Sequence, residues 1–192
     1  MIGARRHLRD IPACPHGSLS PRELAEKGLP KDVIDFSASC NPLGTSPGVL
    51  AALAGLDISR YPDDQALELR RALGRNLGLG AEWIAVGNGS VELMWQLAAA
   101  YLEPGDPVLV VGPTFGEYSR ACQIQGARVE ELRFAEVSGF RPDPSALFSA
   151  IRSHRPKLAF LCNPNNPTGQ LLADQEVVEI LGGCQDTLLV VD

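Results

Sequence analysis

Residues 157–170, KLAFLCNPNNPTGQ, set a short apolar run directly before a segment holding three Asn, two Pro and one Gly. The run reads as a buried strand, and Asn, Pro and Gly are the residues that let a chain turn at its end. A solvent-facing turn would need nothing more. So many side-chain amides with so little backbone freedom gain another meaning if other unusual loops meet them at the same edge.

Outward from this strand, β-rich runs alternate with helical patterns. WIAV (83–86) precedes a predicted helix over 90–102, and PVLVV (107–111) precedes one over 117–125. ARVEELRF (127–134) leads to a helix over 144–153, KLAFLC (157–162) to one over 174–184, and TLLVVD (187–192) follows. Near-continuous apolar strands separated by helices predict an α/β fold, a mostly parallel sheet sandwiched by helices. Residues 1–45 are instead rich in Pro, Gly and Ser, with helical stretches after them at 47–54 and 64–77. In the second stretch, Leu67, Leu69, Leu73 and Leu77 suggest an apolar stripe, with Arg70, Arg71 and Arg75 toward water. The expected division is an N-terminal arm and helical segment over 1–82 and an α/β domain over 83–192. Asp192 directly after an apolar run is the expected mark of a strand in a longer protein.

Hydrophobic residues at 45% and charged residues at 21% fit a soluble globular enzyme, and a net charge of −6 without a Lys/Arg block argues against nucleic acid or an anionic membrane surface. The five cysteines share no C-x-x-C spacing, so neither a disulfide framework nor a zinc site is predicted. No apolar leader or membrane-length run is present, and the expected location is a reducing cytoplasm.

Ligands of an open parallel sheet bind outside the carboxyl ends of its strands, where GNGSVE (87–92), GPTFGEY (112–118), NPNNPTG (163–169) and Asp192 all fall. The glycine turn at Gly89 opening a helix offers the N–H groups of Ser90 and Val91 to a phosphate, although close strand-to-helix packing also asks for Gly. Phe115 offers a face for a flat heterocycle, or simply a core contact. Asn166, between Pro164 and Pro167, offers an amide to an oxygen anion. Asp192, if buried, needs a cation or a donor. A planar pyridinium with a phosphate arm and a phenolate oxygen meets all four requirements, which describes pyridoxal phosphate.

With NNPTG and a strand-end Asp downstream, the chain resembles the fold-type I pyridoxal-phosphate enzymes of the class I/II aminotransferase superfamily, from about His16 to Asp192. RYPD (60–63), GNGS with Glu92, and NPLG (41–44) resemble the branch holding histidinol-phosphate aminotransferase and threonine-phosphate decarboxylase. HG (16–17), DFSASCNPLG (35–44), FGEYSRA (115–121) and LCNPNNPTG (161–169) are more similar to the decarboxylase. The resemblance implies phosphate binding by the Ser90 and Val91 backbone, ring stacking on Phe115, a phenolate contact from Asn166 and a pyridinium contact from Asp192. It also implies a homodimer in which Tyr61 reaches the cofactor phosphate of the neighbouring subunit. His16 and Gly17 would meet the phosphate of a small phosphorylated amino acid. Ser39 stands where the decarboxylase pattern has Asn, and Ser18 where it has a second Gly.

The Schiff-base lysine of such enzymes has no counterpart among Lys27, Lys31 and Lys157. Lys157 opens the strand that delivers Asn163, about 20 Å from the crevice at ~3.3 Å per residue. The lysine and the substrate-binding arginines are expected beyond residue 192, which would leave residues 1–192 inactive alone. The leading expectation is decarboxylation of O-phospho-L-threonine to an aminopropanol phosphate and CO2 in cobalamin biosynthesis. The alternatives are histidinol-phosphate amino transfer, or a non-catalytic phosphate-binding α/β module.

Overall fold

The computed structural model describes residues 5–12, 14, 17–30, 32–38 and 40–192. In chain order the helices and strands are α1 (Pro21–Glu26), α2 (Pro47–Ala54), α3 (Leu67–Leu77), α4 (Gly89–Tyr101), β1 (Pro107–Gly112), α5 (Glu117–Ile124), β2 (Arg128–Arg133), α6 (Pro144–His154), β3 (Leu158–Leu161), α7 (Asp174–Leu181) and β4 (Leu188–Val191). They fall into two units, one of Pro15–Ile84 and one combining Met1–Cys14 with Ala85–Asp192.

The second unit is a four-stranded, fully parallel sheet in the order β2-β1-β3-β4. Side-chain alternation along each strand divides its core in two. Val108 and Val110 of β1, with Leu158 and Phe160 of β3, pack with Met94 and Ala98 of α4 and Tyr118 and Ala121 of α5. Leu109, Val111, Ala159 and Leu161 point the other way, onto Leu147 and Ile151 of α6 and Ile180 of α7. Both faces are covered, so β1 and β3 are apolar at every position between them. Residues 5–12 belong here too: a 3-10 turn over Arg6–Asp10 brings His7 Nε2 within 3.0 Å of the Ile124 carbonyl oxygen at the end of α5. The sequence reading assigns that stretch to the arm, because a 3-10 turn carries no long periodicity.

WIAV does not form the predicted strand. Ala81–Trp83 is a 3-10 turn, and Ile84 is extended (φ −120°, ψ 121°) without a ladder partner among the described residues. Extended, apolar backbone becomes a strand only when a neighbour pairs with it.

In the Pro15–Ile84 unit, Ser20 and Glu23 close a reciprocal capping box on α1, which periodicity over six residues could not reveal. Helix α3 begins at Leu67 because the Asp63 carboxylate accepts from the N–H groups of Gln65 and Leu67 and holds the intervening residues in a turn. The predicted stripe is not buried: Leu67, Leu69 and Leu77 are exposed, and Gly74 is the buried position. Arg70 turns inward, with Nε and Nη2 donating to the Ala81 carbonyl at 3.0 and 2.7 Å. Among the described residues no helix is long and apolar enough to cross a membrane.

Candidate active site

Strand order puts a switch point between β1 and β3, since the chain leaves β1 toward β2 and returns on the other side as β3. The loops over 113–116 and 162–173 flank this point. Asn165 joins them. Its Oδ1 accepts from Thr114 Oγ1 at 2.7 Å, and its Nδ2 donates to the Pro113 carbonyl at 2.9 Å and to Thr168 Oγ1 at 2.7 Å. Asn163 closes the far side of its loop, with Nδ2 donating to the Leu172 carbonyl and Oδ1 accepting the Leu172 N–H.

Two of the three amides therefore hold the loop itself. Asn166 is the third: it is exposed, its side-chain amide has no partner among the described residues, and its backbone N–H donates to Cys162 Sγ at 3.4 Å. The peptide bonds preceding Pro113, Pro164 and Pro167 are cis.

Asp192 continues the ladder of β4, its N–H donating to Leu161 O and its carbonyl accepting from Asn163 N–H. Asp192, expected to be buried, is exposed among the described residues, where β4 pairs with β3. Its Oδ2 accepts from the Tyr118 hydroxyl at 2.6 Å. Burial, then the bond to Asp192, pushes the Tyr118 pKa far above the usual phenol value, so the hydroxyl is a permanent donor. Phe115 is half-buried and meets Tyr118 edge to face, with centroids 5.7 Å apart.

Helix α4 leads through a short turn into the amino end of β1, so its own N-terminus lies at the carboxyl edge of the sheet. Gly89, at φ +79°, makes the turn, and no side chain caps the helix. The N–H groups of Ser90 and Val91 precede the first intrahelical bond and point out of the helix end. Asn88 is drawn back by Glu92, whose Oε2 accepts from its N–H and its Nδ2. These two bonds, the backbone one first, hold the Glu92 carboxyl below the usual range.

The profile of the family described as aminotransferase class I and II matches residues 31–192. The chain belongs to this family. A histidinol-phosphate aminotransferase of Moorella thermoacetica is 36% identical over 200 residues, covering 98% of this chain and 51% of that protein. The crystal structure of histidinol-phosphate aminotransferase from Sinorhizobium meliloti in complex with pyridoxal-5'-phosphate superposes with a TM-score of 0.84 at 26% identity, covering all of this chain and 51% of that one. L-threonine-O-3-phosphate decarboxylase from Porphyromonas gingivalis superposes with a TM-score of 0.60 at 28% identity over 75% of this chain and 42% of that one. The chain spans about half the length of the curated relatives it matches.

The α/β unit of this family member gathers Phe115, Asn166, Asp192 and the start of α4 at one edge of one sheet. Tyr61 lies in the other unit and is fully exposed. Gly17, also there, has a packing reason of its own, because a Cβ at that position collides with the Ser37 carbonyl oxygen. His16 and Ser39, assigned to substrate by motif, lie outside the described residues, as does Lys31. Lys157 pairs with Asp106 at 2.8 Å, at the amino end of β3 and away from the candidate site. Sequence reasoning singled out Asn166 but missed Tyr118, which stands three residues after Phe115, and the bracing roles of Asn163 and Asn165.

Proposed function

We propose that this chain is the cofactor-binding part of a pyridoxal-phosphate-dependent enzyme acting on the amino group of a small phosphorylated substrate, with histidinol-phosphate amino transfer as its reaction. The observation that carries the cofactor is the donor set at the sheet edge. Helix α4 offers uncapped N–H groups to a phosphate, Asn166 offers an unpartnered amide, and Asp192 offers an exposed carboxylate held by Tyr118. This set fits a ligand anionic at two places and cationic at a third. Bound pyridoxal phosphate would supply a ring that delocalises the negative charge left on Cα when a proton or CO2 departs.

The residues of this chain would bind and orient. Ser90 and Val91 hold the phosphate by backbone donors reinforced by the helix dipole. Asn166 donates to the phenolate oxygen, Phe115 flanks the ring, and Asp192 pairs with the protonated ring nitrogen. The amine that bonds the cofactor aldehyde would come from outside the α/β unit, because that unit's one lysine, Lys157, is tied to Asp106. A homodimer would let the exposed Tyr61 serve the neighbouring site. Sedimentation of the full-length protein as a monomer would remove that role.

The relatives support amino transfer over the decarboxylation expected from motifs, since relatives 36% and 39% identical over most of this chain carry the name histidinol-phosphate aminotransferase. Phosphothreonine decarboxylation stands as the second reading, favoured by DFSASCNPLG and the Porphyromonas gingivalis likeness. The full-length protein, supplied with pyridoxal phosphate, separates the two. Glutamate formation from histidinol phosphate and 2-oxoglutarate supports amino transfer. CO2 release from O-phospho-L-threonine without a 2-oxo acid would replace it with the lyase, and absence of a visible bound-cofactor band would remove both.

A further inference from the structure

Glu117 is the one charged side chain buried among the described residues, with 4% of its surface exposed. It stands in the first turn of α5, where the helix dipole favours a negative charge, and its Oε2 accepts from Trp95 Nε1 of α4 at 3.0 Å. An apolar side chain would fill the seam between the two helices without the cost of burying a carboxylate, so packing alone does not call for Glu. The carboxylate is shared with a third element. The Cys14 thiol lies within hydrogen-bonding reach of it, and burial, then that bond, raises the thiol above its ordinary 9.0, so the sulfur stays protonated and donates. A Cβ on Gly116 would stand 2.7 Å from Cys14 Sγ. Gly116 has φ −69° and ψ −16°, which any residue adopts, so the approach of the thiol, and not the backbone, calls for glycine there.

The N-terminal segment therefore meets α5 at two points, His7 at the Ile124 carbonyl and Cys14 at Glu117. Along α5 these points are about 10 Å apart at ~1.5 Å per residue. The seven steps from His7 to Cys14 could span about 23 Å at ~3.3 Å each. The 3-10 turn over Arg6–Asp10 takes up part of that slack, but the His7 anchor alone does not fix Cys14. Glu117 does. We propose that Glu117 is a positioning residue for the phosphorylated substrate: by holding Cys14 against Gly116, it sets the point beside Phe115 from which the chain continues. This rests on the substrate reading above. His16, assigned by motif to the substrate phosphate and outside the described residues, follows Cys14 by two positions, a reach of about 7 Å at most. A displacement at Cys14 would carry straight to it.

Tryptic cleavage after Arg9 reports release of the segment in the full-length protein, and steady-state kinetics reports its effect on the site. Glu117→Leu should speed cleavage roughly tenfold or more, as expected for losing hydrogen bonds to a charged group, and should melt no lower than the native protein. It should raise KM for whichever phosphorylated substrate the native enzyme turns over by a similar factor, with kcat and pyridoxal-phosphate affinity within about twofold. Glu117→Gln, whose amide oxygen still accepts from Trp95 and Cys14, should stay within about threefold of native in both readouts. Cys14→Ala leaves the Glu117–Trp95 bond whole and should reproduce both effects in smaller measure, which also covers a Glu117→Leu protein that does not fold. Cleavage at the native rate in both Glu117→Leu and Cys14→Ala would overturn the anchor. Faster cleavage with unchanged KM would overturn the positioning role and leave the cofactor reading intact. Losses of kcat and cofactor affinity alongside KM would mean that Glu117 supports the α4–α5 core instead. A native protein that binds pyridoxal phosphate but turns over neither phosphorylated substrate would defeat the substrate reading and the role built on it, while cleavage still decides the anchor.

Discussion

Thr114 Oγ1 donates to Asn165 Oδ1 at 2.7 Å, joining the loops that leave β1 and β3 on either side of the switch point. The contact spans 51 positions of sequence and lies at the end of two strands already paired from Val108↔Leu158 to Val110↔Phe160. The ladder sets the distance between the loops, and the side chains close it.

Asn165→Ala removes this bond together with the donations to Pro113 O and Thr168 Oγ1. At about 1 kcal/mol for each neutral hydrogen bond, it should destabilise the full-length protein by roughly 2–3 kcal/mol, against about 1 kcal/mol for Thr114→Val. Urea unfolding checks the ratio. Equal losses for the two variants would mean that Asn165 is not the hub.

Gly89 turns into α4 at φ +79°, a conformation that a β-branched residue adopts only under strain. A Cβ there would meet nothing within 4 Å, so backbone geometry and not crowding makes Gly necessary. Gly89→Val should rotate the Ser90 and Val91 N–H groups away and weaken cofactor binding more than Ser90→Ala, which leaves the backbone donors in place. An affinity ranking in the opposite order would show that the phosphate is held by the Ser90 hydroxyl.

The parallel sheet and its helices were legible because β1 and β3 are apolar at consecutive positions and the helices keep their own period. WIAV finds no ladder partner among the described residues, because pairing is not a property of the segment alone. The exposure of the α3 leucines has the same origin: a sequence states what a residue prefers to bury against, not whether a neighbour is there to cover it. At the site, residue types pointed to Asn166, but three asparagines in four positions look alike until their hydrogen bonds separate the two that brace the loop from the one left free. Tyr118 was hidden for a related reason, since its ring belongs to the core and only its oxygen to the site.

The loop after Asn166 is anchored by Arg141, whose Nη1 donates to Leu171 O and whose Nη2 meets both oxygens of Glu176. The Ala173 N–H first, and Arg141 after it, hold the Glu176 carboxyl below its ordinary 4.5. A carboxyl depressed in the folded state contributes stability that is fully present above its unfolded value and is lost as pH falls through the folded one. Glu176→Gln should therefore lower the urea midpoint at pH 7 and flatten its decline as pH falls below the ordinary 4.5. A slope identical to that of the native protein would show that Glu176 does not contribute to it.

Lys157 provides the sharpest check on how the chain divides its labour. It directly precedes β3, and its N–H donates to the Pro107 carbonyl while its Nζ lies 2.8 Å from Asp106 Oδ2, so both of its ends belong to the amino edge of the sheet. At ~3.3 Å per extended residue, the six steps from Lys157 to Asn163 span about 20 Å. A side chain of ~6 Å cannot bridge that gap even if it left Asp106. Lys157→Met in the full-length protein should therefore retain its visible cofactor band and its turnover. Its effect should fall on Asp106, whose carboxyl is held below the ordinary 3.8 first by Lys157 and then by the Glu103 N–H. That part of the acid-side stability, present above 3.8 and lost as pH falls through the lowered value, should diminish in the variant. Loss of the cofactor band with unchanged acid stability would reverse the assignment and make Lys157 the residue that bonds the cofactor.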